Sequence, residues 1–263
     1  MFEIPPIRIP TEEECLQNAI NRRETAKSDR NQFENWFPEV ESLGIPSPKS
    51  ILIDFPVQLQ INMVNGVDCR DDLASFVSKI RVFGKEHGYP LFMKNSLFSG
   101  KHDWKNTCYI SAEATDMEIM GNISLINEMW MCVSMDTALS IVVREFIQTE
   151  PVFHAFYGRM PVTEEYRLFY RDGDPVCWQP YWPEDSIQDP DITDWKEKLK
   201  SISKPSNQNM KEMMNYASSI TKELGGYWSV DFLISSDSKV NLIDMADGNR
   251  SYLDKDATQF DTN

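Results

Sequence analysis

The stretch from Asp71 to Lys94 constrains the fold more than any other part of the chain. Leu73, Phe76, Val77, Ile80 and Phe83 recur at three- and four-residue spacing, which gathers them on one apolar face of a helix. Asp71 and Asp72 sit at its start, and Gly88 is placed to end it. Tyr89-Pro90-Leu91-Phe92-Met93-Lys94 then reads as an apolar strand that closes on a lysine. An ammonium at that position can bridge phosphate oxygens as a point charge. The same residues also fit a plain strand end. The loop that follows, Asn95 to His102, is small and polar, and its backbone N–H groups could line phosphates. It carries neither a Walker nor a GxGxxG pattern.

Other elements follow from pattern. Thr11 and Glu14 form a capping box that opens a polar helix running to about Arg30. Ser50 to Phe55 reads as a buried strand, and Asn106 to Ser111 as another. Thr115 or Asp116 can cap a helix that carries Ile119, Ile123, Ile126 and Trp130. Ile141 to Ile147 is a strand. Tyr166–Tyr170 and Pro175–Tyr181 flank an Asp172-Gly173 turn, the mark of a hairpin. A short helix is expected at Asp194–Lys200, and a second amphipathic helix carries Met210, Met213, Met214, Ala217, Ile220 and Leu224 up to Gly225. Its methionines suit a core face. Two strands, Tyr227–Ile234 and Val240–Met245, come last, and the tail after Tyr252 is polar and expected to fray. Helices and strands alternate early and hairpins dominate late, which predicts an α+β fold.

Composition narrows the function classes. The 263-residue chain carries a net charge of −15, which argues against broad nucleic-acid binding but leaves room for a local basic pocket. No run of roughly 18 apolar residues exists, so no membrane helix is expected, and the N-terminus lacks a secretory pattern. The five cysteines are widely spaced with no CxxC pair, which fits a reducing, cytoplasmic setting. Three scattered histidines offer no metal spacing.

Polar groups inside apolar strands are the candidates for chemistry. Arg144 and Glu145 end the strand IVVREF, with Glu150 five residues beyond Glu145. Arg167 alternates with apolar neighbours in EYRLF, and a guanidinium there needs an anion, either a carboxylate such as Glu145 or Asp244 or a bound phosphate. Asp231 in WSVDFLI and Asp244 in NLIDMAD interrupt two strands joined by a short turn. Two carboxylates on one face of that hairpin would repel without a cation between them, and Mg2+ takes one or two carboxylates plus phosphate oxygens. Asp247 and Asn249 add oxygen ligands on the loop that follows. Trp178 and Trp182 fit either core or a substrate pocket.

These segments, in this order, resemble the ATP-grasp superfamily. GYPLFMK with its small loop is similar to that family's phosphate-binding strand. VVREFIQTE resembles its adenine hinge, EYRLFYRDG its arginine strand, and WSVDFLI with NLIDMADGNRS its two metal strands. Within the superfamily the chain most resembles two branches, the phage and bacterial one named for an arginine and two lysines and the eukaryotic cell-division-cycle one. The resemblance implies two α+β lobes gripping a nucleotide over residues 71–252, a preceding segment 1–70 and a polar tail 253–263. It implies Lys94 and Lys101 on phosphates, Glu145 and Ile147 bounding adenine, Glu150 on ribose, Arg167 on the γ-phosphate, and Mg2+ on Asp231, Asp244, Asp247 and Asn249. The family's acid-x-Asn pattern is broken here by Ala246, and its first lysine has only Lys49 and Lys79 as candidates. The implied activity is ATP-dependent joining of a carboxylate, small or peptidic, to an amine through an acyl phosphate. The alternative is a nucleotide-binding assembly factor without catalysis. Oligomeric state is not encoded in any pattern found.

Overall fold

A computed structural model describes residues 11–134, 136–157 and 159–260. In chain order the elements are α1 (Glu12–Ala26), α2 (Phe33–Ser42), β1 (Ser50–Asp54), α3 (Val57–Val64), α4 (Arg70–His87), β2 (Leu91–Asn95), α5 (Trp104–Thr107) and β3 (Tyr109–Ile110). Then come α6 (Asp116–Val133), β4 (Ser140–Glu145), β5 (Phe153–Ala155), β6 (Met160–Val162), β7 (Glu165–Arg171) and β8 (Asp174–Pro180). The last are α7 (Trp195–Ser201), α8 (Asn207–Leu224), β9 (Tyr227–Ile234), β10 (Val240–Asp247) and β11 (Thr258–Gln259).

Two antiparallel sheets organise the molecule, and the α+β expectation holds. The smaller has the order β1-β4-β2-β3. Period-two alternation sends Leu91, Met93, Ile141 and Val143 to one face, where they pack on the apolar stripes of α4 and α6. Gly84 permits the close approach of the Tyr89 ring to α4, since a Cβ there would lie 2.2 Å from that ring. The other face of this sheet carries Phe92, Lys94 and Arg144. Of the segment expected to precede the two lobes, β1 pairs along its whole length with β4 and so completes this sheet.

The larger sheet has the order β10-β9-β7-β8-β11. Tyr166, Leu168, Tyr170, Val230 and Phe232 cover one face and pack on Met213, Ala217 and Ile220 of α8 and on Phe33, Trp36 and Phe37 of α2. The methionine face of α8 is therefore core. The β7–β8 hairpin turns at Asp172 and Gly173, both at positive φ (52° and 91°), as a tight two-residue turn requires. The opposite face of this sheet carries Glu165, Arg167, Asp231 and Asp244.

Three expectations need correction. The first helix stops at Ala26 rather than near Arg30, and a separate α2 follows. The aromatic residues of α2 belong to the large-sheet core, and Pro38 within it obscures the helical pattern. The stretch 106–111 is not one strand: a turn of helix, α5, precedes the two-residue β3. The tail does not fray through residue 260, because Thr258 and Gln259 pair with Trp178 and Cys177 of β8 and Phe260 packs on Tyr170. Residues 1–10 of the expected leading segment and 261–263 of the expected tail lie outside the described residues. No described helix is long and apolar enough to cross a membrane.

Candidate active site

A cleft of about 740 Å3, counting its open mouth, is lined from both sheets. Phe92 and Lys94 of β2, Arg144 and Glu145 of β4 and the following Phe146, Ile147 and Thr149 form one wall. Glu165 of β7, Leu233 of β9 and Ile243 and Asp244 of β10 form the other, with Lys101 and Met160 between them. Apolar side chains (Phe92, Phe146, Ile147, Leu233) and charged ones (Lys94, Lys101, Arg144, Glu145, Glu165, Asp244) share the lining.

The charged side chains form a row of ion pairs built by strand register. Arg167 stands opposite Asp231 on β9, and Asp231 stands opposite Asp244 on β10. Arg167 holds Asp231 through two hydrogen bonds, Nε to Oδ1 at 2.7 Å and Nη2 to Oδ2 at 2.8 Å. Burial alone would weaken the Arg167 charge, but Asp231 more than offsets it and raises its proton affinity. Lys94, 3% exposed, reaches across from the small sheet and donates to Asp244 Oδ2 at 2.8 Å. Burial works to raise the Asp244 carboxyl, and Lys94 and Arg144 together hold it below the usual carboxylate range.

Two further charges sit in the same walls. Lys101 Nζ donates to Glu165 at 3.2 Å and lies 3.8 Å from the centre of the Tyr181 ring. Burial pushes the Glu165 carboxyl up against the opposing pull of Lys101. Arg144 is buried with no carboxylate on it among the described residues. Its Nε donates to Ser50 Oγ at 3.2 Å, its Nη1 donates to the carbonyl of Ile243, and its Nη2 has no partner. Burial lowers its pKa to about 10. Ile243 is the extra residue of a β-bulge between Leu242 and Asp244, which frees that carbonyl from the ladder.

The structure therefore brings Lys94, Lys101, Glu145, Ile147 and Asp244 to the cleft, with Arg167 and Asp231 next in the row. The Arg167 carboxylate partner is Asp231, not Glu145 or Asp244. Glu145 pairs in register with Leu91 and turns toward α4, accepting from Lys49 N at 3.1 Å with His87 Nδ1 at 3.5 Å. Glu150 is exposed and outside the lining, which Thr149 reaches instead. Lys49 and Lys79 are exposed and line no part of the cleft.

Asp247 and Asn249 lie apart from this row. Alternation along β10 puts Asp247 opposite Trp228, on the face away from Asp244. Its Oδ1 accepts from Asn249 N and Nδ2 at 2.8 and 2.9 Å, and its Oδ2 lies 3.7 Å from Arg30. No group of three or more His, Cys, Asp or Glu side chains converges among the described residues. Asp231 and Asp244 stand opposite each other on the cleft face, a carboxylate pair that suits Mg2+ completed by phosphate oxygens.

Arg144 and Glu165 are wall residues to which the sequence reading gave no role. Both had a readable signal: Arg144 is charged inside an apolar strand, and Glu165 opens β7 two residues before Arg167, on the same face.

No curated protein matches the chain in sequence. Among solved structures, N5-carboxyaminoimidazole synthase from Aspergillus clavatus superposes with a TM-score of 0.47 at 10% identity, covering 84% of this chain and 45% of that one. D-alanine–D-alanine ligase from Bacillus anthracis, solved with ATP, gives 0.44 at 11% identity over 84% and 55%. The ATP-grasp ligase PsnB, solved with a precursor peptide and AMPPNP, gives 0.41 at 13% identity over 84% and 51%. The chain spans about half the length of these proteins, and likeness this distant says nothing of its substrates. The model of an ATP-grasp domain family, the third of the clade named for an arginine and two lysines, matches residues 72–261. That match takes in both sheets' cleft strands apart from β1, and the chain belongs to this ATP-grasp family.

Proposed function

We propose that this chain is an ATP-dependent carboxylate–amine ligase that works through an acyl phosphate, with Mg-ATP held between the two sheets. The observation that carries the reading is the buried Nη2 of Arg144, left without an acceptor in a cleft that also holds Lys94 and Lys101. A buried unpaired donor is costly, and an anionic ligand would satisfy it. The apolar lining at Phe92 and Phe146 suits an adenine ring, with Glu145–Ile147 also in the lining and Glu150, exposed just beyond Thr149, assigned to ribose.

The row of ion pairs supports the rest. Phosphate oxygens entering the cleft compete with Asp244 for Lys94, with Glu165 for Lys101 and with Asp231 for Arg167. The carboxylates so released can hold Mg2+, which when bound neutralises phosphate charge. Phosphoryl transfer asks for this kind of positioning and charge neutralisation more than for covalent chemistry. Lys94 and Arg167 are the residues assigned to the transferred phosphate. The substrate carboxylate attacks it, and an amine then displaces phosphate. Free cysteines fit a cytoplasmic setting. One observation favours the alternative of a nucleotide-gated binding protein: Ala246 stands on the cleft face two residues after Asp244 and offers the metal no ligand.

A thermal-shift titration with ATP, with and without Mg2+, on the wild type and Asp244→Asn tests the reading. Ligand at 100 times its dissociation constant should add about 2.7 kcal/mol. A magnesium-dependent shift weakened in the variant is expected. No shift of the wild type at millimolar ATP would sink both versions. A normal shift with no phosphate release in the presence of mixed amino acids and peptides would favour the binding protein.

A further inference from the structure

Behind the charged wall of the cleft lies a second cavity, of about 990 Å3 with its mouth included. Thr163 and Glu165 line both spaces, so the two adjoin at these residues. Glu165 is only 6% exposed, and its two oxygens are held from different sides: Oε2 by Lys101 and Oε1 by Trp182 Nε1 at 3.3 Å. Trp182, Leu199 and Ile202 give the second cavity an apolar floor.

Its charge balance is selective. Glu165, Glu184, Glu197 and Asp254 face Lys196 and Lys200; Glu184 is paired with Lys196 and Glu165 with Lys101, which leaves Glu197 and Asp254 against Lys200. An excess of carboxylate over an apolar floor rejects anions and suits an ammonium on a hydrocarbon stem. The geometry points to this cavity as the site of an alkyl ammonium substrate, the amine of the ligase reaction, with Glu165 at its inner end as the proton acceptor. This rests on the ligase reading, in which phosphates draw Lys101 away from Glu165 and leave a buried carboxylate facing the amine.

The step balances. The ammonium gives one proton to the Glu165 carboxylate and becomes a free amine. Its lone pair attacks the acyl carbon, the C–N bond forms, and the C–O bond to phosphate breaks. Phosphate leaves with that electron pair and takes the second nitrogen proton. Glu165 later returns its proton to solvent.

The test uses the full chain, with cadaverine as the probe and glutarate as its anionic counterpart. Calorimetry should show cadaverine binding at sub-millimolar to millimolar concentration and no glutarate binding. Glu197→Gln combined with Asp254→Asn should weaken cadaverine by about tenfold and leave the Mg-ATP thermal shift intact, since neither residue lines the nucleotide cleft. With Mg-ATP present, so that Lys101 is drawn away, Glu165→Gln should weaken cadaverine as well, and far-UV circular dichroism checks that the variant is folded, since its amide can accept from only one of Lys101 and Trp182. Nα-acetyl-lysine methylamide, run beside cadaverine, separates a free amine from a peptide lysine, and tighter binding of either supports the site. Absence of cadaverine binding in protein that still binds Mg-ATP would overturn the proposal, as would equal binding in the double variant. Cadaverine binding without any Mg-ATP shift would support the cavity and separately sink the ligase reading.

Discussion

The two sheets treat their buried arginines in opposite ways. Arg167, on the large sheet, is locked to Asp231 by two parallel hydrogen bonds, and that partner raises its proton affinity. Arg144, on the small sheet, is more deeply buried yet meets only a hydroxyl and a carbonyl, and burial lowers its pKa to about 10. One guanidinium is complete within the protein. The other keeps a donor in reserve. Under the proposed function, the large sheet stores its charge in pairs that a phosphate would reopen, while the small sheet holds a donor that a phosphate would satisfy.

The sharpest way to break this contrast is to remove one member of the closed pair. Asp231→Ala leaves Arg167 buried and unpaired, which should cost about 3–5 kcal/mol in urea unfolding. The double variant Asp231→Leu with Arg167→Met should recover most of that loss, because desolvation of the charge disappears with it. A double variant as unstable as the single one would mean that the pair's geometry, not its charge, supports the sheet.

Lys94 tests the other side of the row. Its ammonium is assigned to developing phosphate charge, so Lys94→Met should remove on the order of 2–4 kcal/mol of transition-state stabilisation, by the measure of other lost electrostatic donors. Its stability cost should be small, since Asp244 keeps 39% side-chain exposure and can turn to water. Unchanged ATP turnover in the variant would defeat the assignment.

How far the chain declares this arrangement depends on the range of the interaction. The helix α4, the Asp172-Gly173 hairpin and the strands β9 and β10 follow from spacings within a few residues, and the sequence shows them directly. Lys94, Arg167, Asp231 and Asp244 stand out because each charge breaks an apolar strand. Their pairing does not, because it depends on which strands are neighbours and in what register. Arg167 meets Asp231 only through the β7–β9 ladder, across 64 residues of chain. The bulge at Ile243 is equally hidden, yet it decides where Arg144 finds its carbonyl. The placement of Asp247 is hidden for a related reason: the Asp-Gly-Asn string reads as a loop, while Asp247 still ends β10 and alternation turns it to the face away from Asp244.

A finer distinction comes from replacing the open arginine. Arg144→Met exchanges a buried, partly unsatisfied cation for an apolar chain of similar reach, and such exchanges are often neutral for stability. Mg-ATP binding should nevertheless weaken by about tenfold, close to 1.4 kcal/mol, as the reserved donor is lost. Arg167→Met should show the reverse order, with a larger loss of stability because Asp231 is then left without its partner. If both variants lose stability and nucleotide affinity in the same proportion, the two arginines are equivalent and the contrast fails.

The smallest effect expected is a pH dependence, and its sign is fixed by Asp244. Lys94 and Arg144 hold this carboxyl below its ordinary value of 3.8. A folded value below the unfolded one means that the unfolded chain binds the proton first as pH falls. The stabilisation is therefore fully present above about pH 4 and fades as pH drops through the lower folded value. With part of the side chain in water, the amount should be no more than about 1 kcal/mol. Comparing unfolding of the wild type and Asp244→Asn at pH 7, 5, 4 and 3 should show a constant gap at the first two and a narrowing gap at the last. In a Lys94→Met background the narrowing should largely vanish, since the cation that depresses the carboxyl is gone. A gap that persists unchanged to pH 3 would mean that Asp244 draws no net benefit from the cations around it, and the row of pairs would then be held by packing alone.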